Sequence, residues 1–175
     1  RMNRAVYDSG LRAPMVIRYP DGRSAGQVND ELISFVDLAP TILSWAEAPS
    51  LERSNGVDFE GDDRDPERDY IFAAQDRMDF DPNRRRAIRD KRYKLIENFR
   101  PGDRFFVPLA FRDVQPTMGE LWQGLANGSL PDAAAALFQP VPDVQLYDTW
   151  TDPHEVRNLA GDPDFKTQQS RLQET

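Results

Sequence analysis

Arg84 to Asn98, RRRAIRDKRYKLIEN, is the stretch on which the fold turns. Two short runs, about Arg85 to Arg89 and Tyr93 to Ile96, flank Asp90-Lys91-Arg92, and their imperfect alternation predicts a hairpin in an antiparallel sheet. Alternation sends the seven cationic side chains of this ribbon to both faces, so no single flat basic surface follows. Two uses of those charges stay open. They can pair with the acidic segment that precedes them, or one or two arginines can grip a sulfate, phosphate or carboxylate, whose oxygens match the guanidinium fork.

Immediately before the ribbon, residues 51–83 carry eleven acidic side chains against four cationic ones, which supplies the partners for the first use. Asp69 to Ala74 (DYIFAA) reads as a strand, followed by a loop from Gln75 to Asn83. Asp76, Arg77 and Asp79 fall in that loop at a strand end, where binding residues are commonly mounted, and are candidate substrate contacts; a turn of solvated charges accounts for them equally well. After the ribbon come an aromatic loop from Arg100 to Gln115 and a helix over Pro116 to Ala126, with Met118, Leu121, Trp122 and Leu125 at helical spacing. A second helix over Leu130 to Phe138 is opened by Pro131-Asp132. Gln145 to Tyr147 is a brief strand. Thr151 to Ala160 (TDPHEVRNLA) reads as a capping box with Asp152 at the cap and Glu155 reaching back to it, and Lys166 to Thr175 as a mobile polar tail.

At the front, Ala13 to Tyr19 (APMVIRY) is a consecutive apolar run ending in Pro20-Asp21-Gly22, the pattern of a strand covered on both faces in a parallel sheet. Phe35, Leu38, Ile42 and Leu43 then recur at helical spacing, with Asp37 as N-cap and Pro40 in the first turn. Strand, turn and one-striped helix form the unit of α/β sheets, while Pro49 to Pro66 is poor in periodic apolar residues. The fold class expected is therefore α/β: residues 1–50 as the end of a larger α/β domain, and 51–175 as a smaller α+β subdomain with an antiparallel sheet. Arg1 to Gly10 (RMNRAVYDSG) has no apolar secretory core and runs straight into the first strand, which reads as the back end of a longer protein.

Composition removes several chemistries. With no cysteine there is no disulfide framework, thiolate zinc site, iron–sulfur cluster or cysteine nucleophile in these 175 residues. A lone His154, placed on the exposed part of its turn, leaves no choice of histidine for a Ser-His-Asp triad. A net charge of −8 disfavours nonspecific nucleic-acid binding, and no run approaches the roughly 20 apolar residues of a membrane span.

Four segments together resemble the C-terminal part of the type I sulfatases, within the alkaline-phosphatase-like superfamily. They are Tyr7 to Pro20 (YDSGLRAPMVIRYP), Asp30 to Leu43 (DELISFVDLAPTIL), Arg86 to Asn98 (RAIRDKRYKLIEN) and Gln145 to Ala160 (QLYDTWTDPHEVRNLA). The resemblance implies hydrolysis of sulfate esters or sulfamates, with a calcium ion and a formylglycine made from Cys or Ser in a C/S-x-P-x-R motif. It places that motif and the metal ligands ahead of Arg1, so that no metal site and no nucleophile are expected in this chain. The partners it implies are a sulfated small molecule or glycan and the upstream catalytic domain, and it brings the Gln75 to Asp79 loop to the pocket mouth, with Asp76, Arg77 and Asp79 as contacts to the leaving group and Arg84 or Arg85 as outer candidates. It also puts Asn3 at the family's sulfate-contacting lysine position, four residues before the tyrosine. Asparagine donates a hydrogen bond but brings no charge, so either Arg1 or Arg4 substitutes, the alignment slips by one, or activity is reduced. A phosphonate or phosphodiester hydrolase of the same superfamily and a non-catalytic module for anionic glycans are the alternatives.

Overall fold

A computed structural model describes residues 5–60, 64–78, 81–106 and 109–175. The hairpin forms as its alternation requires. β2 (Asp81–Arg89) and β3 (Tyr93–Asn98) pair antiparallel from Arg85 opposite Asn98 to Arg89 opposite Lys94. The Asp90 carboxylate closes the turn by accepting from the Arg92 N–H at 2.7 Å, the local bond that makes aspartate a turn former. β1 (Ile71–Met78) adds to β2 and β4 (Val144–Asp148) to β3, giving an antiparallel sheet of order β1-β2-β3-β4.

Side-chain parity then decides what each face buries. One face presents Ala87, Ile96 and Tyr147, with Ala73 beside them, and is covered by Ala5, Val6 and Tyr7 arriving from the front of the chain. The other presents Ile88, Leu95 and Leu146 and is covered by Leu159 and Leu172. Leu172 belongs to α6 (Lys166–Glu174), so the segment read as a mobile tail is a packed helix. Its nine residues hold one apolar side chain, Leu172. What docks it is Leu172, the Phe165 ring edge-on to Tyr93 at 6.4 Å, and ion pairing of Arg171 with Asp90.

A third cluster lies beside the sheet, built on Phe106, Met118 and Phe138. α3 (Ala110–Asp113) leads into α4 (Pro116–Asn127), which has Pro116 in its first turn and ends at Gly128, where φ is +71° and only glycine is unstrained. α5 (Asp132–Ala135) runs on as a 3-10 turn to Phe138, matching the second helix read from the sequence.

The front of the chain departs furthest from expectation. α1 is a single helical turn (Asp8–Leu11), and residues 12–18 form no strand; Val16 is 93% exposed. The described residues offer this run no neighbouring strand and no cover on either face, so its apolar pattern has nothing to satisfy it. α2 (Leu38–Trp45), entered through a 3-10 turn over Phe35–Asp37, forms as expected but keeps Phe35, Ile42 and Trp45 exposed. Asp37 immediately precedes it but makes no side-chain capping bond to this helix; it completes instead the capping box of the 3-10 turn, which Ser34 opens. Its buried carboxylate accepts from the N–H groups of Ser34 at 2.8 Å and Val57 at 2.9 Å and from the Arg68 guanidinium at 2.6 Å. The composition change at 49–66 is therefore bridged: Asp37 ties α2 to the chain leading into the sheet. Gly56 is held at this crossing because a Cβ there would lie 2.0 Å from the Val36 carbonyl oxygen.

Candidate functional site

The loop expected at Gln75 to Asn83 is instead a continuation of the sheet. β1 runs to Met78, with an irregularity between Gln75 and Arg77, and β2 begins at Asp81, paired with Met78. Asp76 and Arg77 are strand residues, both exposed at the end of this ribbon, and Asp79 and Asn3 lie outside the described residues. The wrong reading has a physical source. Asp76 interrupts the apolar pattern, but two residues of β2, Asn83 and Arg84, stand opposite it, and the ladder resumes beyond this irregularity.

Around Asp76 the ribbon gathers charge. Its carboxylate accepts from Arg86 Nη2 at 2.7 Å and lies 4.0 Å from Arg84 Nε, while the Arg84 guanidinium stands 4.6 Å from the Phe99 ring centre. Arg86 Nη1 also donates to the carbonyls of Gln75 at 3.2 Å and Arg85 at 2.8 Å. Arg85 points the other way. It is 2% exposed, its guanidinium lies 5.4 Å from the Phe105 ring centre, and its Nε and Nη2 find no acceptor among the described residues. Burial pushes its pKa down, against the pull of Tyr7, Asp103 and Tyr147. Arg84 and Arg85, taken together as outer candidates, therefore stand on opposite faces and cannot serve one ligand in the same way.

The strongest polar constellation was not among the candidates. Lys94, 1% exposed, lies under the front segment with its Nζ 3.0 Å from Asp8 Oδ1 and 2.8 Å from Glu155 Oε1. Glu155 Oε2 accepts the Asp8 backbone N–H at 2.7 Å. Arg89 pairs with Asp8 Oδ2 and donates to Thr149 Oγ1 at 3.2 Å. Among the described residues two carboxylates here meet two cations, as burial of charge demands. Burial by itself would raise the Asp8 pKa, but Lys94 and Arg89 outweigh it and hold the carboxyl below its ordinary range.

Lys94 and Arg89 were legible as a pair on one face, since Arg89 stands opposite Lys94 in the register. Their acidic partners, up to 86 residues away in sequence for Asp8, were not. The TDPHE pattern predicts Glu155 as half of a capping box. In the structure the 151–160 segment is a turn rather than a helix. Asp152 closes it alone, accepting from the Val156 and Arg157 N–H groups at 2.7 and 2.8 Å, and Glu155 turns inward with φ at +53°.

A cavity of about 440 Å³ opens beside this cluster, lined among others by Leu11, Phe35, Phe72, Arg89, Lys94 and Trp150. Its inner cations are already matched: Arg89 and Lys94 by Asp8 and Glu155, Lys91 by Glu67 at 3.2 Å. Among the described residues no group of three or more His, Cys, Asp or Glu is arranged to hold a metal ion. The residues described here thus do not fit a calcium site, and the sequence has neither a cysteine nor a C/S-x-P-x-R run for a formylglycine. Nor is any helix among them long and apolar enough to cross a membrane.

Comparison with known proteins places this arrangement. The family model for the C-terminal region of N-sulphoglucosamine sulphohydrolase matches residues 2–108. An ulvan-active sulfatase of Formosa agariphila is 42% identical over 95% of this chain, and the N-sulphoglucosamine sulphohydrolase of Homo sapiens is 26% identical over 91% of it. The chain spans 28% and 34% of the lengths of these two relatives. A solved structure of a 2-O GAG sulfatase superposes with a TM-score of 0.54 over 85% of this chain and 25% of its own, at 17% identity, which speaks to the fold. A mixed α/β chain with a four-stranded antiparallel sheet, matched over most of its front half and its hairpin, belongs to the sulfatase family represented by the C-terminal region of N-sulphoglucosamine sulphohydrolase.

Proposed function

We propose that this chain is the C-terminal part of a hydrolase of sulfate esters or sulfamates, and that it completes the fold and forms one wall of the substrate pocket. The observation that carries the reading is the family match over residues 2–108, supported by 42% identity to an ulvan-active sulfatase along nearly the whole chain. In this reading residues 1–50 end the larger α/β domain and 51–175 form the subdomain. The upstream catalytic domain covers the apolar side chains left open on the front segment, notably Val16, Phe35 and Trp45. The nucleophile, a formylglycine, and the calcium ion belong to that upstream part, and when present they supply the attack on sulfur and the neutralisation of sulfate charge. No step of that kind is assigned to residues of this chain.

What this chain contributes is recognition. Asp76, Arg77 and Asp79 contact the leaving-group portion of a sulfated saccharide, with carboxylates accepting from sugar hydroxyls and arginine donating to a further sulfate or carboxylate. Asn3 donates a hydrogen bond to the sulfate undergoing transfer. A sulfated saccharide is the substrate class that the relatives support: one is an ulvan-active sulfatase and the other an N-sulphoglucosamine sulphohydrolase.

The test is a steady-state comparison of the intact protein on matched aryl sulfate and aryl phosphonate esters, followed by sulfate release from sulfated oligosaccharides. Higher kcat/KM for the sulfate is expected, and Asp76→Ala and Arg77→Ala should raise KM for the oligosaccharide more than for the aryl ester. A preference for the phosphorus substrate by orders of magnitude would move the assignment to the phosphonate or phosphodiester branch.

A further inference from the structure

We propose that Arg84 and Asp76 form one saccharide-recognition site, in which the Arg84 guanidinium grips a sulfate or carboxylate substituent and Asp76 Oδ2 accepts from a hydroxyl of the same sugar. The proposal rests on the reading that Asp76 meets sugar hydroxyls, and adds the group that selects an anionic sugar.

Three arginines follow one another in β2, and the structure uses each differently. Arg85 is buried on the opposite face. Arg86 is spent, with Nη2 on Asp76 Oδ1 at 2.7 Å and Nη1 on the carbonyls of Gln75 and Arg85 at 3.2 and 2.8 Å. Arg84 is left. Its side chain is 57% exposed, its Nε lies 4.0 Å from Asp76 Oδ1, too far for a hydrogen bond, and its guanidinium makes no other bond among the described residues.

Ordering a long exposed side chain on a ligand ordinarily costs binding energy. Here much of that ordering precedes the ligand. The guanidinium lies 4.6 Å from the Phe99 ring centre, and the Phe99 N–H donates to the Arg84 carbonyl at 3.0 Å, so the ring and the arginine it carries are tied through backbone as well. Stacking covers the face of the guanidinium and leaves its N–H edges, the part that matches the oxygens of a sulfate or carboxylate, to a ligand.

The neighbouring carboxylate sets the rest of the ligand. Asp76 is 65% exposed, and Oδ1 takes Arg86 while Oδ2 has no partner among the described residues. Glu97 stands opposite Arg86 in the β2–β3 register, so acids balance bases here and the patch is no general basic surface. A bare inorganic anion meets Arg84 and is repelled by Asp76. A ligand with an oxyanion beside a hydroxyl satisfies both, because the hydroxyl donates to the carboxylate. Sulfated sugars and uronates carry that pair on neighbouring positions of one ring, which suits two groups 4.0 Å apart.

The experiment is calorimetric titration of the intact protein, at about 0.15 M salt to screen diffuse attraction. The probes are a heparin tetrasaccharide, which carries sulfates and carboxylates beside free hydroxyls, the same tetrasaccharide after desulfation, and neutral chitotetraose. Arg84→Met keeps an apolar stem against Phe99, and an unchanged melting temperature verifies its fold. Its Kd for the heparin tetrasaccharide is expected to rise at least about tenfold, with chitotetraose unaffected. Arg157→Met, which removes an exposed charge elsewhere, should leave the Kd unchanged. A penalty that survives desulfation identifies carboxylate as the group gripped, and one that vanishes identifies sulfate; both uphold the site. An Arg84→Met Kd within twofold of wild type, an equal loss in Arg157→Met, or a wild type that prefers chitotetraose overturns it. Asp76→Asn should weaken the tetrasaccharide several-fold; unchanged or tighter binding would overturn the pairing together with the reading of Asp76 as a contact. Sulfate release from 4-nitrophenyl sulfate by the wild type tests the activity assignment separately: no turnover would overturn that assignment, and the titration would still decide this site.

Discussion

Removing the ammonium from the centre of the sheet should loosen both ends of the chain at once. In Lys94→Met the side-chain volume is nearly kept, so the loss is electrostatic: Asp8 retains Arg89, Glu155 retains the Asp8 N–H, and the two carboxylates then face each other without the cation between them. Breaking a buried pair by deleting one partner costs about 3–5 kcal/mol. Arg89 compensates part of the charge on Asp8, which puts the expected cost near the lower bound, about 3 kcal/mol. The assay is amide hydrogen exchange in the intact protein, followed for β3, β4 and the segments around Asp8 and Glu155. A loss of about 3 kcal/mol corresponds to exchange faster by a factor on the order of 100 where those amides exchange through opening of this region. The Phe106–Met118–Phe138 cluster, which shares no partner with Lys94, should keep its protection. Acceleration below about threefold around Asp8 and Glu155 would refute the reasoning, because the four charges would then not be holding these segments together.

Asp37→Asn should destabilise the α2 region by about 3 kcal/mol, since it leaves the Arg68 guanidinium without its buried counter-charge; exchange at Val57 and Ser34 reports it, and a change confined to α2 itself would count against the bridge described above. Acid titration should follow the depressed carboxyls. Burial raises the pKa of both Asp8 and Asp37, but Lys94 and Arg89 in the first case and Arg68 with two backbone N–H groups in the second bring the net value below normal. Near that range the unfolded chain binds more protons than the folded one. Their stabilisation is therefore complete above about pH 4 and is lost as pH falls through the lowered values. A melting temperature that already declines between pH 7 and pH 5 in step with these sites would contradict this. Arg85→Met should leave stability unchanged or raise it by about 1 kcal/mol, because a buried guanidinium with two unmatched nitrogens is replaced by an apolar chain of similar length. Chemical denaturation of the variant checks it, and a large loss would mean that Arg85 has a partner worth more than its desolvation.

The elements built on local signals were readable from the sequence. The Asp90 turn and the alternation on either side of it specify the central hairpin, and the Pro116 start and Gly128 stop specify α4. What was not readable depended on partners distant in the chain. α6 is polar by composition and becomes a helix against the sheet through Leu172, and β1 continues past Ala74 because β2 returns beside it. The Ala13 to Tyr19 run carries a real strand pattern that the described residues leave unpaired, a case in which local preference has no tertiary surface to act on. At the candidate site the same division holds. The inward charge of Lys94 follows from strand parity, whereas its meeting with Asp8 and Glu155 comes from two loops whose paths no periodicity encodes.

The central claim is that this chain shapes a sulfatase pocket whose reactive groups are supplied by another part of the protein. Sulfate release from an aryl sulfate should be measured side by side for the intact protein and for a purified polypeptide of these 175 residues. Turnover by the intact protein and none by the 175-residue polypeptide is the predicted result. Hydrolysis by the shorter polypeptide on its own would contradict it.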